Sequence, residues 1–152
     1  MTSILPIKKN REYFFMRKII CVVLGLLFTF TIHTFNNQPT FINESDKITL
    51  YIGNNSSACQ MVLIDAKDYH KYTSIAGESV TIENQNFNLS LLLQKYCAQV
   101  VFTEQIAEGD NYYCYSPKLK YRRVLKGKII NLHVFVGKSW VSIGTPMIFG
   151  SF

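Results

Sequence analysis

The feature that most constrains this chain is a charge-free apolar run near its N-terminus, residues 19–32, IICVVLGLLFTFTI, which continues through His33 and Thr34 to Phe35. A helix that crosses a bilayer needs roughly 17–25 mostly apolar residues, and a signal-peptide core needs fewer, so residues 19–35 lie between the two. The flanks are more decisive. Lys8, Lys9, Arg11, Arg17 and Lys18 precede the run with one acid, Glu12, and no charge follows until Glu44. An excess of cations on one side keeps that side in the cytoplasm. Thr29 with Thr31, and Thr34 with Asn36, are the nearest approach to a signal-peptidase site, and neither resembles Ala-x-Ala.

The expectation is therefore a single-pass signal anchor over residues 19–35, a basic cytoplasmic segment over 1–18, a linker over 36–46 and an exported domain over 47–152. Cleavage would instead give a secreted domain. Met16-Arg17-Lys18 also resembles the start of a short signal sequence, and either start gives the same topology. A buried core helix of a soluble protein is the weaker reading, because basic residues flank one side only and Pro39 follows shortly after the run.

The chain has 152 residues, about one domain's length, with 48% apolar and 17% charged residues, which excludes a largely disordered chain. Its net charge of +6 is unevenly placed. Residues 36–110 carry four lysines against nine acids, a balance of −5, and residues 111–152 carry seven cations and no acid, a balance of +7. Twelve Lys against four Arg is the bias of an AT-rich coding sequence, so the basic character is partly compositional.

Beyond the anchor the periodicity is mostly that of strands. Lys47–Ile52 alternates and stops at the turn-rich residues 53–57. Residues 59–64, 69–76, 79–83, 100–102, 112–115, 129–136 and 140–145 read as further strands, with turns at Gly77-Glu78, at residues 108–111 and at Gly137-Lys138. One helix is expected, capped by Asn88 or Ser90, with Leu89, Leu92, Leu93, Tyr96 and Cys97 on one apolar stripe. About eight short strands and one amphipathic helix predict an α+β domain, an antiparallel sheet covered on one face.

Asn131-Leu132-His133, with Ile143-Gly144-Thr145-Pro146-Met147-Ile148, resembles the C-terminal signature of the YwmB-like family of uncharacterised envelope proteins of low-GC Gram-positive bacteria. The resemblance implies a secreted or anchored protein with a TATA-box-binding-protein-like α+β fold. It covers only the C-terminal part of the chain, brings no catalytic residues, and ends at residues 149–152, which depart from the pattern.

Three features invite chemistry. Cys59, Cys97 and Cys114 lie beyond the anchor; three unpaired buried thiols are the plainer reading, and if one disulfide forms Cys97 and Cys114 are the more natural pair. Asp65, Asp68 and His70 cluster as a metal-dependent hydrolase would require, and equally as an ordinary turn between strands would. His133 reads as an outward-facing strand residue. No zinc-ligand spacing and no phosphate loop is present, so no metal and no cofactor are expected.

The most unusual stretch is residues 112–128, YYCYSPKLKYRRVLKGK. Its cations and rings, with Lys118, Lys120, Tyr121, Arg122, Arg123, Lys126 and Lys128 as the candidate contacts, suit an anionic envelope polymer or acidic lipid headgroups. The export topology argues against nucleic acid. A solvated strand edge protected by lysines is the plainer alternative. The bipolar charge would also suit docking onto another envelope protein. Together these features predict a membrane-anchored, non-enzymatic accessory or interaction module of the cell envelope, with an exported hydrolase as the alternative.

Overall fold

The computed structural model of the protein describes residues 8–36, 38–53 and 59–149, and the chain forms two units, Met1–Gln38 and Pro39–Phe152. The first unit is one helix, α1, Lys8–Asn36. Its 29 residues span about 43 Å at 1.5 Å per residue, more than the ~30 Å hydrocarbon core of a bilayer. Within it Tyr13–Thr31 is long and apolar enough to cross a membrane, with a mean hydropathy of 1.9 and none of the window buried. Large apolar side chains are exposed along it, among them Phe14, Leu24 and Phe28, and a helix exposing apolar residues on every side calls for an apolar surrounding. Two of its hydroxyls are satisfied internally: Thr29 Oγ1 donates to the Leu26 carbonyl at 2.9 Å and Thr31 Oγ1 to that of Phe28 at 2.8 Å. The expected span, residues 19–35, lies inside α1, and the apolar window starts earlier, at Tyr13.

The second unit is the expected α+β domain. Its strands are β1 Lys47–Ile52, β2 Gln60–Asp65, β3 Ile75–Glu83, β4 Gln99–Ile106, β5 Gly109–Tyr115, β6 Arg123–Leu125, β7 Lys128–Ile130, β8 Leu132–Gly137 and β9 Trp140–Thr145, with helix α2 at Leu89–Tyr96. Seven strands form one antiparallel sheet in the order β2-β1-β3-β9-β8-β5-β4, and β6 and β7 form a separate hairpin.

The helix forms where its sequence permits. The Asn88 side chain accepts from the Leu91 backbone N–H at 3.2 Å, and the helix closes on Cys97 in the left-handed conformation. Leu92 and Tyr96 turn inward and join Ile48, Leu50, Val80, Leu132, Val134, Val141 and Ile143 in the core. Each such fully buried side chain contributes about 1.5–3 kcal/mol. The other face of the sheet carries Tyr51, Ser79, Asn111, Tyr113, His133, Phe135 and Ser142, all buried. Both faces of β8 are therefore covered.

Several expectations are corrected. Of the strand expected at residues 69–76, residues 69–71 lie in a 3-10 turn, Ala66–Lys71, and only Ile75 and Ala76 are strand, opening β3, in which Gly77-Glu78 is no hairpin but a continuous part. Glycine is needed there for close approach: a Cβ on Gly77 would stand 2.5 Å from the Thr145 carbonyl oxygen. The turn expected at 108–111 falls earlier, since Ile106 pairs with Gly109. The strand expected at 129–136 breaks at Asn131, whose side chain binds residues 116 and 119. The expected linker contributes Phe41, 0% exposed, whose ring meets that of Tyr96 edge-on at 5.8 Å.

Cys97 lies past the helical stripe, exposed at the C-cap, whereas Cys114 is buried in the core, and both are free thiols. Burial pushes the Cys114 thiol up to about 12. Residues 54–57 of the expected turn-rich loop lie outside the described residues.

Candidate functional site

The basic stretch of the sequence folds into a projecting hairpin. Leu125 pairs with Lys128, which leaves Lys126 and Gly127 as a two-residue loop. Both have positive φ, 50° and 72°, the mirror-image turn that matches the twist of paired strands and that glycine adopts at no steric cost. The same register sets Val124 directly opposite Ile129. Val124 is 67% exposed and Ile129 51%, so a cross-strand apolar pair faces outward.

The seven candidate contacts are not equivalent. Lys120, Arg122, Lys126 and Lys128 are exposed along the same stretch, and strand alternation sets Lys128 on the opposite face of the ribbon from Val124 and Ile129. The Arg122 guanidinium lies 5.8 Å from the Tyr115 ring centroid. Lys126 and Lys128 sit over the Phe102 ring at 5.5 and 5.8 Å, and Lys126 is also ion-paired with Glu104. Arg123 is half-buried, 5.3 Å from the Phe149 ring centroid. Lys118 is exposed at a distance from the hairpin turn and donates to the Lys95 carbonyl at 3.1 Å.

Tyr121 points the other way. It is half-buried beside Tyr69, whose hydroxyl it meets, and near the buried Glu78 carboxylate. Glu78 Oε1 accepts from the Thr40 backbone N–H at 2.5 Å, and burial raises its carboxyl above the ordinary value. Tyr121 is thus a packing residue, and the candidates exposed nearest the hairpin turn are Lys120, Arg122, Lys126 and Lys128.

Under the hairpin runs an aromatic ladder. Phe102 stacks on Tyr113, and Tyr113 on His133, each with centroids 4.4 Å apart. Tyr113 donates its hydroxyl to Glu104 Oε2 at 3.0 Å, so one carboxylate ties the ladder to Lys126. Burial and Glu104 push the Tyr113 hydroxyl up to about 12, while Lys126 and the Tyr113 hydroxyl hold Glu104 below the usual carboxylate range.

His133 is not outward-facing. It is 1% exposed, its Nδ1 accepts from the Ile148 backbone N–H at 3.3 Å, and Nε2 therefore carries the hydrogen donated to Asn111 Oδ1 at 2.9 Å. Burial lowers its pKa to about 4, so it is neutral and structural. The Asn131 backbone carbonyl accepts from Thr145 Oγ1 at 2.8 Å, so residues 131–133 and 145–148 are joined at both ends.

The acidic cluster is spent on lysines. Asp65 pairs with Lys67 at 3.2 Å, Asp68 with Lys71 at 2.6 Å, and His70 Nδ1 lies 3.0 Å from the Lys67 carbonyl. The bond to Lys71 lowers the Asp68 pKa. Among the described residues no three His, Cys, Asp or Glu side chains gather as a metal would need.

What the stretch's composition did not single out is the Val124/Ile129 pair. Its signal is short: RVL and KII either side of Lys126-Gly127 place the two side chains at equal distance from the turn. The chain matches no protein-family model, no curated protein and no solved structure.

Proposed function

We propose that this protein is a membrane-anchored, non-enzymatic module of the cell envelope whose β6–β7 hairpin rests on anionic lipid headgroups. In this reading α1 sits in the cytoplasmic membrane, its basic N-terminal flank stays inside, and the domain from Pro39 is displayed outside. The cations before the charge-free run, Lys8, Lys9, Arg11, Arg17 and Lys18, support that orientation. The domain follows α1 directly in the chain, so in this reading it is tethered to the membrane.

The observation that carries the reading is the exposed Val124/Ile129 pair in a stretch that also exposes Lys120, Arg122, Lys126 and Lys128. Cations alone would suit a polymer or a lipid equally. An outward apolar pair in the same stretch favours lipid, because it gains by entering the headgroup boundary and gains nothing from a hydrated polyanion. The hydrolase reading on Asp65, Asp68 and His70 has no such support, since both carboxylates are engaged by lysines.

Hydrogen exchange on the full chain in bilayer nanodiscs tests the proposal. With phosphatidylglycerol present, the amides of residues 123–130 should exchange more slowly than in pure phosphatidylcholine discs. Equal exchange in both would remove the lipid reading.

A further inference from the structure

Beside α2, well away from the hairpin, a groove of about 520 Å³ opens between the helix, the end of β3 and the turn that follows it. Ile82, Phe87 and Leu92 supply apolar wall, and Leu91, 63% exposed, stands at its edge. Glu44 and Lys95 line it as well. The Glu44 side chain is only 8% exposed, and every donor the fold directs at it lands on one oxygen. Oε1 accepts from Lys95 Nζ at 2.8 Å and from the Tyr96 hydroxyl at 2.7 Å. Oε2 is buried and has no hydrogen-bond partner.

A buried carboxylate oxygen without a donor is costly, and native proteins rarely leave one unless something else supplies the bond. The groove also carries a second acid, Glu83, so its charged side chains sum to one negative charge with Lys95 counted. An occupant that meets both conditions carries an N–H-bearing cation on a short apolar body.

We propose that this groove binds a small organic ammonium ion, its charged head at Glu44 and its carbon chain along Leu91, Leu92 and Phe87. The inference is independent of the hairpin and of the membrane reading. Lys95 stands on Oε1 and leaves Oε2 to the occupant, so it competes as a neighbouring cation for the same carboxylate charge; its side chain, 44% exposed, can swing away without opening the core.

The test is a titration of the full chain in maltoside micelles with cadaverine, followed through the Ile and Leu methyl resonances. Glutarate and 1,5-pentanediol serve as anionic and neutral probes of the same chain length. Cadaverine should shift the Leu91, Leu92 and Ile82 methyls saturably, pentanediol should bind about tenfold more weakly, and glutarate should not bind. Glu44→Gln should abolish the cadaverine shifts. Should that variant fold poorly, Lys95→Met and Leu91→Trp, both at exposed positions, still decide: the first should tighten cadaverine binding about tenfold and the second should block it. Pentanediol binding as well as cadaverine, or a Lys95→Met variant no tighter than the parent, would overturn the proposal.

Discussion

Val124 and Ile129 face each other across the β6–β7 hairpin, 67% and 51% exposed, at the point where the chain's cations are densest. Packing inside the protein does not account for this pair, and a lipid surface would. Entering the headgroup boundary would contribute on the order of 1 kcal/mol for each side chain, comparable to the ~1 kcal/mol from each cation near an anionic surface.

Glu104 works against that attraction, because it neutralises Lys126 while accepting from Tyr113. Glu104→Gln should therefore strengthen contact with anionic vesicles, by about 1 kcal/mol or several-fold, and the gain should shrink at high salt. The ion pair is largely exposed, so the fold should lose little. Weakened contact in the variant would show that the pair positions the hairpin rather than restraining it.

His133 gives the domain an acid-labile point. Its folded pKa is depressed from the ordinary 6.5 to about 4, so its contribution is fully present above pH 6.5 and declines as pH falls toward 4. Protonation would set a second N–H at Nδ1 against that of Ile148. The loss amounts to roughly 3 kcal/mol across that interval. Glu78 has the opposite sign, since its raised pKa contributes stability that is lost as pH rises through its folded value. Urea midpoints read by Trp140, the single tryptophan, at pH 7.5 and 5 should separate them: His133→Gln should flatten the acid slope.

Asn131 is 0% exposed and holds the loop before the hairpin. Its Oδ1 accepts from the Ser116 N–H at 2.6 Å, and its Nδ2 donates to the Ser116 and Leu119 carbonyls at 2.6 and 3.1 Å. Asn131→Ala strands three buried backbone groups and should cost about 3 kcal/mol, a large part of a domain's stability. Ser116→Ala, which removes the hydroxyl bond to the Tyr96 carbonyl, should cost about 1 kcal/mol. Equal midpoints for parent and Asn131→Ala would contradict this account.

The legible parts of the sequence were those set by local chemistry. The apolar run, the Asn88 cap with the Leu92 and Tyr96 stripe, and the β4–β5 and β8–β9 hairpins are each encoded within a few neighbouring residues. What could not be read depends on closure between distant segments. His133 is buried because residues 147–149 return over its face of the sheet, placing Ile148 on Nδ1. That return covers β8 on both sides and erases the alternation by which an outward residue is recognised. Gly77 reads as a turn until Thr145 is seen against it. Of the basic stretch, the charge was visible and the division of labour was not. Tyr121 turning to Tyr69, and Lys126 to Glu104, are contacts made across the fold.

The most direct measurement replaces Val124 with tryptophan in the full chain, with Trp140→Phe removing the native tryptophan, and follows the emission in vesicles containing brominated lipids. The account predicts a blue shift and quenching when phosphatidylglycerol is present, reduced when Lys120, Arg122, Lys126 and Lys128 are changed to glutamine and absent in phosphatidylcholine alone. Emission at the wavelength of water-exposed tryptophan in both membranes, with no quenching, would contradict it.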